Sequence, residues 1–172
     1  MPKKEKKEEK SRLSGIPQAA GKADKKSKTL EFYYAVGRRK ESSARVKLYI
    51  TGDDKVKIGN QEIKAGEISV NSLPIEKYFF GEIYQKIYLE PFRTTNTLGR
   101  FAVTAKITGG GKQGQLGALI HGISRALVKV DEEKFRPILR KKGFLTRDSR
   151  VKERRKAGLA QKARAKKQSP KR

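Results

Sequence analysis

Cysteine is absent from this 172-residue chain, and histidine occurs once. Disulfides, thiolate metal sites and a cysteine nucleophile are thereby excluded, and so is any metal site built from several histidines. Acidic side chains are scarce: 18 Asp and Glu stand against 43 Lys and Arg, for a formal charge of +25. Long apolar runs are missing too, since none approaches the ~20 residues that span a bilayer. The opening MPKKEKKEEK has charge but no apolar stretch behind it, unlike a secretory signal, so a cytoplasmic protein is expected. No membrane partner is expected, because the basic C-terminal tail lacks the aromatic or leucine anchors of an interfacial helix.

What is present is unevenly placed charge. Residues 1–30 carry 10 basic and 4 acidic side chains, residues 31–130 carry 16 and 9, and residues 131–172 carry 17 and 5. After Leu159 the only apolar side chains are alanines. Such a segment buries too little to offset the roughly 1–2 kcal/mol per residue that ordering its backbone costs. The tail is therefore expected to take its shape from a polyanion. A phosphate backbone fits best, because Lys and Arg neutralise phosphates with release of condensed counterions. Residues 1–30 read as a mobile basic arm or as a solubilising extension. The remainder, about 100 residues, suffices for one small core.

Along that core, FYYAV reads as a strand and GRRKESSA as a polar loop. Val46, Leu48 and Ile50 alternate with Arg45, Lys47 and Tyr49, which predicts a half-buried strand. Thr51-Gly52-Asp53-Asp54 is a turn, KVKIGNQEI a strand pair around Gly59-Asn60, and EISV another strand. Helical spacing follows (Ile75 with Phe79, Ile83 with Ile87, Tyr84 with Tyr88), closed at Pro91. In RFAVTAKIT, Phe101, Val103, Ala105 and Ile107 face one way. After a glycine turn, a long helix begins near Gln113 and presents Leu116, Leu119, Ile120, Ile123, Leu127 and Val130 as one stripe. His121 and Arg125 are placed on its opposite side. A last helix, DEEKFRPILRKK, is stopped by Gly143. The order predicts a mixed α/β domain with a basic extension at each end.

Gly109, Gly111 and Gly114 satisfy G-x-G-x-x-G between a strand and a helix. The acid that a dinucleotide site needs about 20 residues on falls at Glu132 and Glu133, in a helix rather than at a strand end. Lys112 lacks the spacing and the following Ser/Thr of a Walker loop. No small-molecule substrate or cofactor is expected. The glycines permit either a phosphate at the helix N-terminus, with Lys112 and Gln113 at its mouth, or merely tight helix–sheet packing; phosphate is the favoured reading. Gly114 and Gly117 would let a sugar-phosphate chain lie against the helix. Arg38, Arg39, Lys40 and Arg45 form a basic rim beside a strand, suited to phosphate contact. His121 has no placed Ser/Asp partner, so it is assigned at most a hydrogen bond to RNA. Asp53 and Asp54 read as turn formers, and Tyr78, Phe79, Phe80, Tyr84 and Tyr88 as core. Nothing forms a reaction centre, so a binder rather than an enzyme is expected.

GRRKESSARVKLYI, ISVNSLPIEKYF, GRFAVTAKITGGGKQGQLGALIHGISRAL and RPILRKKGFLTRDSRVKERRKAGL, with the closing Lys171-Arg172, resemble the bacterial form of the small-subunit ribosomal protein nine family from about Tyr34 onward. The resemblance implies a two-layer α+β sandwich like the second domain of ribosomal protein five, with a left-handed β-α-β crossover. A globular domain over 31–143 is expected between an N-terminal extension (1–30) and an extended basic tail (144–172); Thr51 to about Gly66 is longer than the family's usual hairpin connection, so a protruding hairpin is expected near 51–66. The resemblance further implies a place in the head of the small subunit, bound to the 3′ major domain of its rRNA beside neighbouring head proteins. By position, Arg38, Arg39, Lys40, Lys112, Gln113, Gln115, His121 and Arg125 would line the globular RNA surface. Arg140, Lys141, Lys142, Arg147, Arg150, Arg154, Arg155 and Lys156, with Lys162 and Arg164 beyond, would neutralise rRNA phosphates. Lys171 and Arg172 would reach peptidyl-site tRNA. Residues 1–30 exceed the family's usual N-terminus. The tail has one residue more than usual before Lys162-Ala163-Arg164, and it lacks the usual aromatic before the final basic pair.

Overall fold

Two strands joined by the tight turn Lys40-Glu41 come first among the described residues: β1 (Phe32–Arg39) and β2 (Ser42–Ile50) pair antiparallel, with Arg39 opposite Ser42. The computed structural model describes residues 32–50, 55–58, 61–159 and 162–165. The expected N-terminal arm, the Thr51–Asp54 and Gly59-Asn60 turns, and Lys171 and Arg172 lie outside these residues. After β2 come the hairpin β3 (Lys55–Ile58) and β4 (Gln61–Lys64), then β5 (Ile68–Val70), β6 (Leu73–Pro74), α1 (Ile75–Tyr78) and α2 (Glu82–Thr94). β7 (Phe101–Thr108), α3 (Lys112–Val130) and α4 (Glu132–Lys141) complete the domain.

The main sheet has the order β1-β2-β7-β5-β6, with β5 parallel to β7 and the other neighbours antiparallel. Register puts every small or aliphatic inward position on one face: Ala35 opposite Val46, Val46 opposite Ala105, Leu48 opposite Val103, and Ile68 beside Val103. That face packs on Leu116, Leu119, Ile123 and Leu127 of α3, on Phe79, Tyr88 and Phe92 before it, and on Phe135 and Leu139 of α4. The result is a mixed α/β fold of two layers. The β3–β4 hairpin forms a sheet of its own and seats Ile63 on Tyr49 and Ala102 of the other face.

Five local readings change. Phe80, expected in the core, is 85% exposed, because it lies in the break between α1 and α2. GRRKESSA is not a loop: both strands run through it, leaving only Lys40-Glu41 as the turn, with Lys40 at φ 50. Ile50 is 45% exposed while Tyr49 is 4% exposed, because the hairpin covers the opposite face there. Pro91 does not end α2, which runs to Thr94. Its missing N–H removes one helical bond, yet the ring is buried and the Thr94 and Thr95 hydroxyls donate to Glu90 O (2.8 Å) and Pro91 O (2.9 Å). His121 and Arg125 do not face away from the sheet; both bond the backbone of β1.

Asn71 continues the parallel ladder with its side chain. Its amide accepts from Ile107 N (2.9 Å) and donates to Ile107 O (3.0 Å), at φ 48. The final helix ends in a Schellman motif: Phe144 N donates to Leu139 O (3.1 Å) and Gly143 N to Arg140 O (3.0 Å), with Gly143 at φ 77. That turn sends the chain out into the tail.

Candidate nucleic-acid interface

Three segments meet at the N-terminal end of α3. The first is the β1–β2 turn, where Arg38 and Lys40 are exposed. The second is the glycine loop, locked to that turn by Ser42 Oγ donating to Gly109 O (3.1 Å). A Cβ on Gly109 would lie 2.5 Å from Glu41 O, and one on Gly114 would lie 2.7 Å from Ser42 Oγ. These glycines are therefore packing residues, and Gly114 offers no room for a sugar-phosphate chain. Gly117 is covered as well, by the Arg39 side chain. Gly111 alone faces open space. It caps α3 without a side-chain hydrogen bond, and no acid occupies the first turn. The amides there point outward beside exposed Lys112 and Gln113, which keeps the helix mouth available to an anion.

The tail supplies the third segment. Phe144 and Leu145 pack on the core, and Arg39 Nη2 binds Asp148 Oδ2 at 3.3 Å. Arg150 donates to both Asp148 oxygens at 3.0 Å. Those bonds, with Arg39 alongside, hold the Asp148 carboxyl well below the usual carboxylate range. Arg39 Nε is buried without a partner among the described residues. Farther on, Glu153 takes two hydrogen bonds from Arg164 (3.0 and 2.5 Å), which depress its pKa, and Lys156 N donates to Lys162 O (3.1 Å). Two of the tail's few acids, Asp148 and Glu153, thus bind cations of the tail itself. Arg147, Arg154, Arg155, Lys156 and Lys162 remain exposed, as do Arg140, Lys141 and Lys142 at the end of α4.

Several expected RNA contacts have work inside the protein. Gln115 accepts from Tyr78 Oη (3.0 Å) and donates to Gly109 O (3.2 Å). His121, Arg125 and Lys129 form an i, i+4, i+8 row along β1. His121 Nδ1 accepts from Arg38 N (3.3 Å), Arg125 donates to Val36 O (2.6 Å) and Lys129 to Tyr34 O (2.7 Å). The row seals the outer edge of the sheet, which would otherwise invite pairing with another chain. Lys129 was missed because a lone lysine at a helix end reads as solvent-exposed. The alternation of β2 and β7 turns Lys47 and Lys106 to the uncovered face of the sheet.

Burial first, and then Arg125, lower the His121 pKa, with Arg147 adding to this and a backbone bond to Leu145 opposing it. An imidazole that accepts at Nδ1 must be neutral. The unfolded state, near the ordinary 6.5, therefore binds more protons than the folded state just below that pH, and stability falls on acidification through this window. The urea midpoint is expected to drop as pH falls from about 7 to about 5. His121→Asn is expected to flatten that dependence, since no second histidine exists. An equally steep profile in the variant rules His121 out as its source.

A family model described as ribosomal protein S9/S16 matches residues 37–172. The small ribosomal subunit protein uS9 of Leifsonia xyli subsp. xyli (strain CTCB07) is 46% identical over 125 residues, which cover 73% of this chain and 67% of that relative. The protein of the same name from Cutibacterium acnes (strain DSM 16379 / KPA171202) is 48% identical over 125 residues, 73% of this chain and 65% of its own length. The match thus spans about two thirds of those relatives. The family-model match contains the β1–β2 turn, the glycine loop, α3 and the basic tail described above. On that breadth of agreement, this chain belongs to the ribosomal protein S9/S16 family.

Proposed function

We propose that the chain is a structural component of the small ribosomal subunit that binds rRNA of the head, the 3′ major domain, and extends its tail to peptidyl-site tRNA in a cytoplasmic ribosome. The observation that carries the reading is the convergence of the β1–β2 turn, the open α3 mouth at Gly111 and the tail at Asp148 into one basic surface. Its cations answer phosphate, which every RNA presents, so the contact positions RNA rather than reading bases. The division proposed is a basic extension over 1–30, a globular domain over 31–143 carrying the β3–β4 hairpin, and a tail over 144–172. The parallel β5–β7 pair, joined through α1 and α2, is the crossover proposed to be left-handed. Arg154 and Arg155, which form no ion pair with a described carboxylate, and Lys156 are the central proposed rRNA contacts of the tail, and Lys171 and Arg172 those of tRNA.

Sedimentation of a lysate is expected to place the chain wholly in the small subunit; free chain, or chain on duplex DNA, refutes the reading. Deleting Ser169–Arg172 is expected to leave rRNA binding nearly intact while weakening retention of peptidyl-site tRNA. Mutant subunits with unchanged tRNA affinity would reject the tRNA role and leave the rRNA role standing.

A further inference from the structure

The sheet face turned away from the helices is only partly covered. At one end the β3–β4 hairpin seats Ile63 on Tyr49 and Ala102, with Ile58 at the margin. Beyond it lies an open groove of about 1170 Å3 whose lining includes Tyr34, Arg45, Lys47, Thr104, Lys106 and Thr108. Arg45 and Lys106 are direct cross-strand partners. Like charges so placed oppose strand pairing, and neither meets a carboxylate in an ion pair among the described residues. Lys47 stands two residues from Arg45 on the same face, its ammonium 4.7 Å from the Phe32 ring centroid. Glu62 and Glu67 line an adjoining recess that shares Ser69 and Ser72 with the groove, where Glu62 pairs with Lys57 and Glu67 accepts from Lys64 N. The Arg45–Lys106 pair thus opposes strand pairing in the free protein, and an anion between the two would offset the repulsion.

We infer that this groove is a second RNA-binding surface, taking a sugar-phosphate strand across β2 and β7. The inference rests on the rRNA-binding reading above and assigns Lys47, Lys106 and Tyr34 to it alongside Arg45. Cross-strand Cβ atoms stand about 5 Å apart, so both cations of the Arg45–Lys106 pair reach one phosphate. Threonine hydroxyls line the path, where ribose 2′-hydroxyls meet donors and acceptors. Tyr34, at the outer strand, is 40% exposed and offers a ring for stacking. An acidic peptide is disfavoured, because an extended peptide adds at a sheet edge, and the β1 edge is held by His121, Arg125 and Lys129.

The natural chain has no cysteine, so Lys106→Cys gives a single attachment point for an iron chelate. Full-length labelled protein, reconstituted into small subunits, is expected to cut rRNA when hydroxyl radicals are generated; Arg154→Cys is the companion on the tail. Cuts from the tail position alone overturn the groove and leave the RNA reading in place, whereas cuts from neither overturn both. A cross-link from Lys106→Cys to a neighbouring protein without rRNA cuts also overturns it. Separately, Arg45→Ala with Lys106→Ala is expected to reduce the salt slope for a 3′-domain rRNA transcript by about 1.4–1.8, with the thermal midpoint unchanged or raised. An unchanged slope with a lowered midpoint assigns these cations to the fold instead and refutes the proposal.

Discussion

Gly37→Val is expected to destabilise the domain by about 3 kcal/mol, at the upper end for overpacking, and to lower its thermal midpoint by about 12–24 °C. Gly37 lies in β1 where α3 crosses it. A Cβ there would come within 2.8 Å of Gly122 Cα and closer still to the Ala118 carbonyl. All of these are backbone atoms, which have no rotamer to change, so the helix itself must move. From the other side, a Cβ on Gly122 would meet Val46 Cγ2 at 2.7 Å. Displacing α3 also pulls His121, Arg125 and Lys129 from β1 and shifts the anion mouth at Gly111. Circular-dichroism melts measure the effect. Gly111→Ala, with nothing within 4 Å of the new Cβ, is the control; it only replaces the helix N-cap glycine and is expected to cost about 1 kcal/mol or less. If Gly37→Val melts within a few degrees of the natural protein, the close crossing does not exist in solution.

The second large effect is on binding. Arg154→Ala, Arg155→Ala and Lys156→Ala together are expected to reduce the salt slope of rRNA binding by about 0.7–0.9 per lost contact. For three contacts, counterion release alone then lowers affinity about 100–500-fold at 0.1 M salt. Folding should be untouched, because all three side chains are exposed and none forms an ion pair with a described carboxylate. Arg164→Ala should cost less, since Glu153 already neutralises that guanidinium through two hydrogen bonds. Titrations of a 3′-domain transcript at several salt concentrations decide the matter, and an unaltered slope removes the three residues from the interface.

Periodic elements were legible because burial repeats with the backbone. Phe101, Val103, Ala105 and Ile107 are all buried along β7, and Leu116, Leu119, Ile123 and Leu127 along α3, where spacing placed them. The failures share a cause. Ile50 and Tyr49 exchanged roles because a strand pattern does not say which face a distant hairpin will cover. Pro91 stayed helical because burial and two threonine hydroxyls offset one lost hydrogen bond. Gln115, His121 and Arg125 looked like free polar surface because their partners lie 37, 83 and 89 residues away. Polar side chains show no period, so their long-range partners cannot be found along the chain.

Composition and order alone determined the absence of thiol chemistry, the excess of positive charge, the mixed strand and helix content, and the family signature, because these depend on residue identity and local spacing. Only the tertiary structure decided which cations face solvent and which serve the sheet edge, which loop glycine stands open and which pack against the β1–β2 turn, and how the tail base docks through Asp148. Those outcomes depend on what approaches from elsewhere in the chain: a guanidinium becomes a phosphate site or a strand clasp according to whether a carbonyl or carboxylate reaches it first.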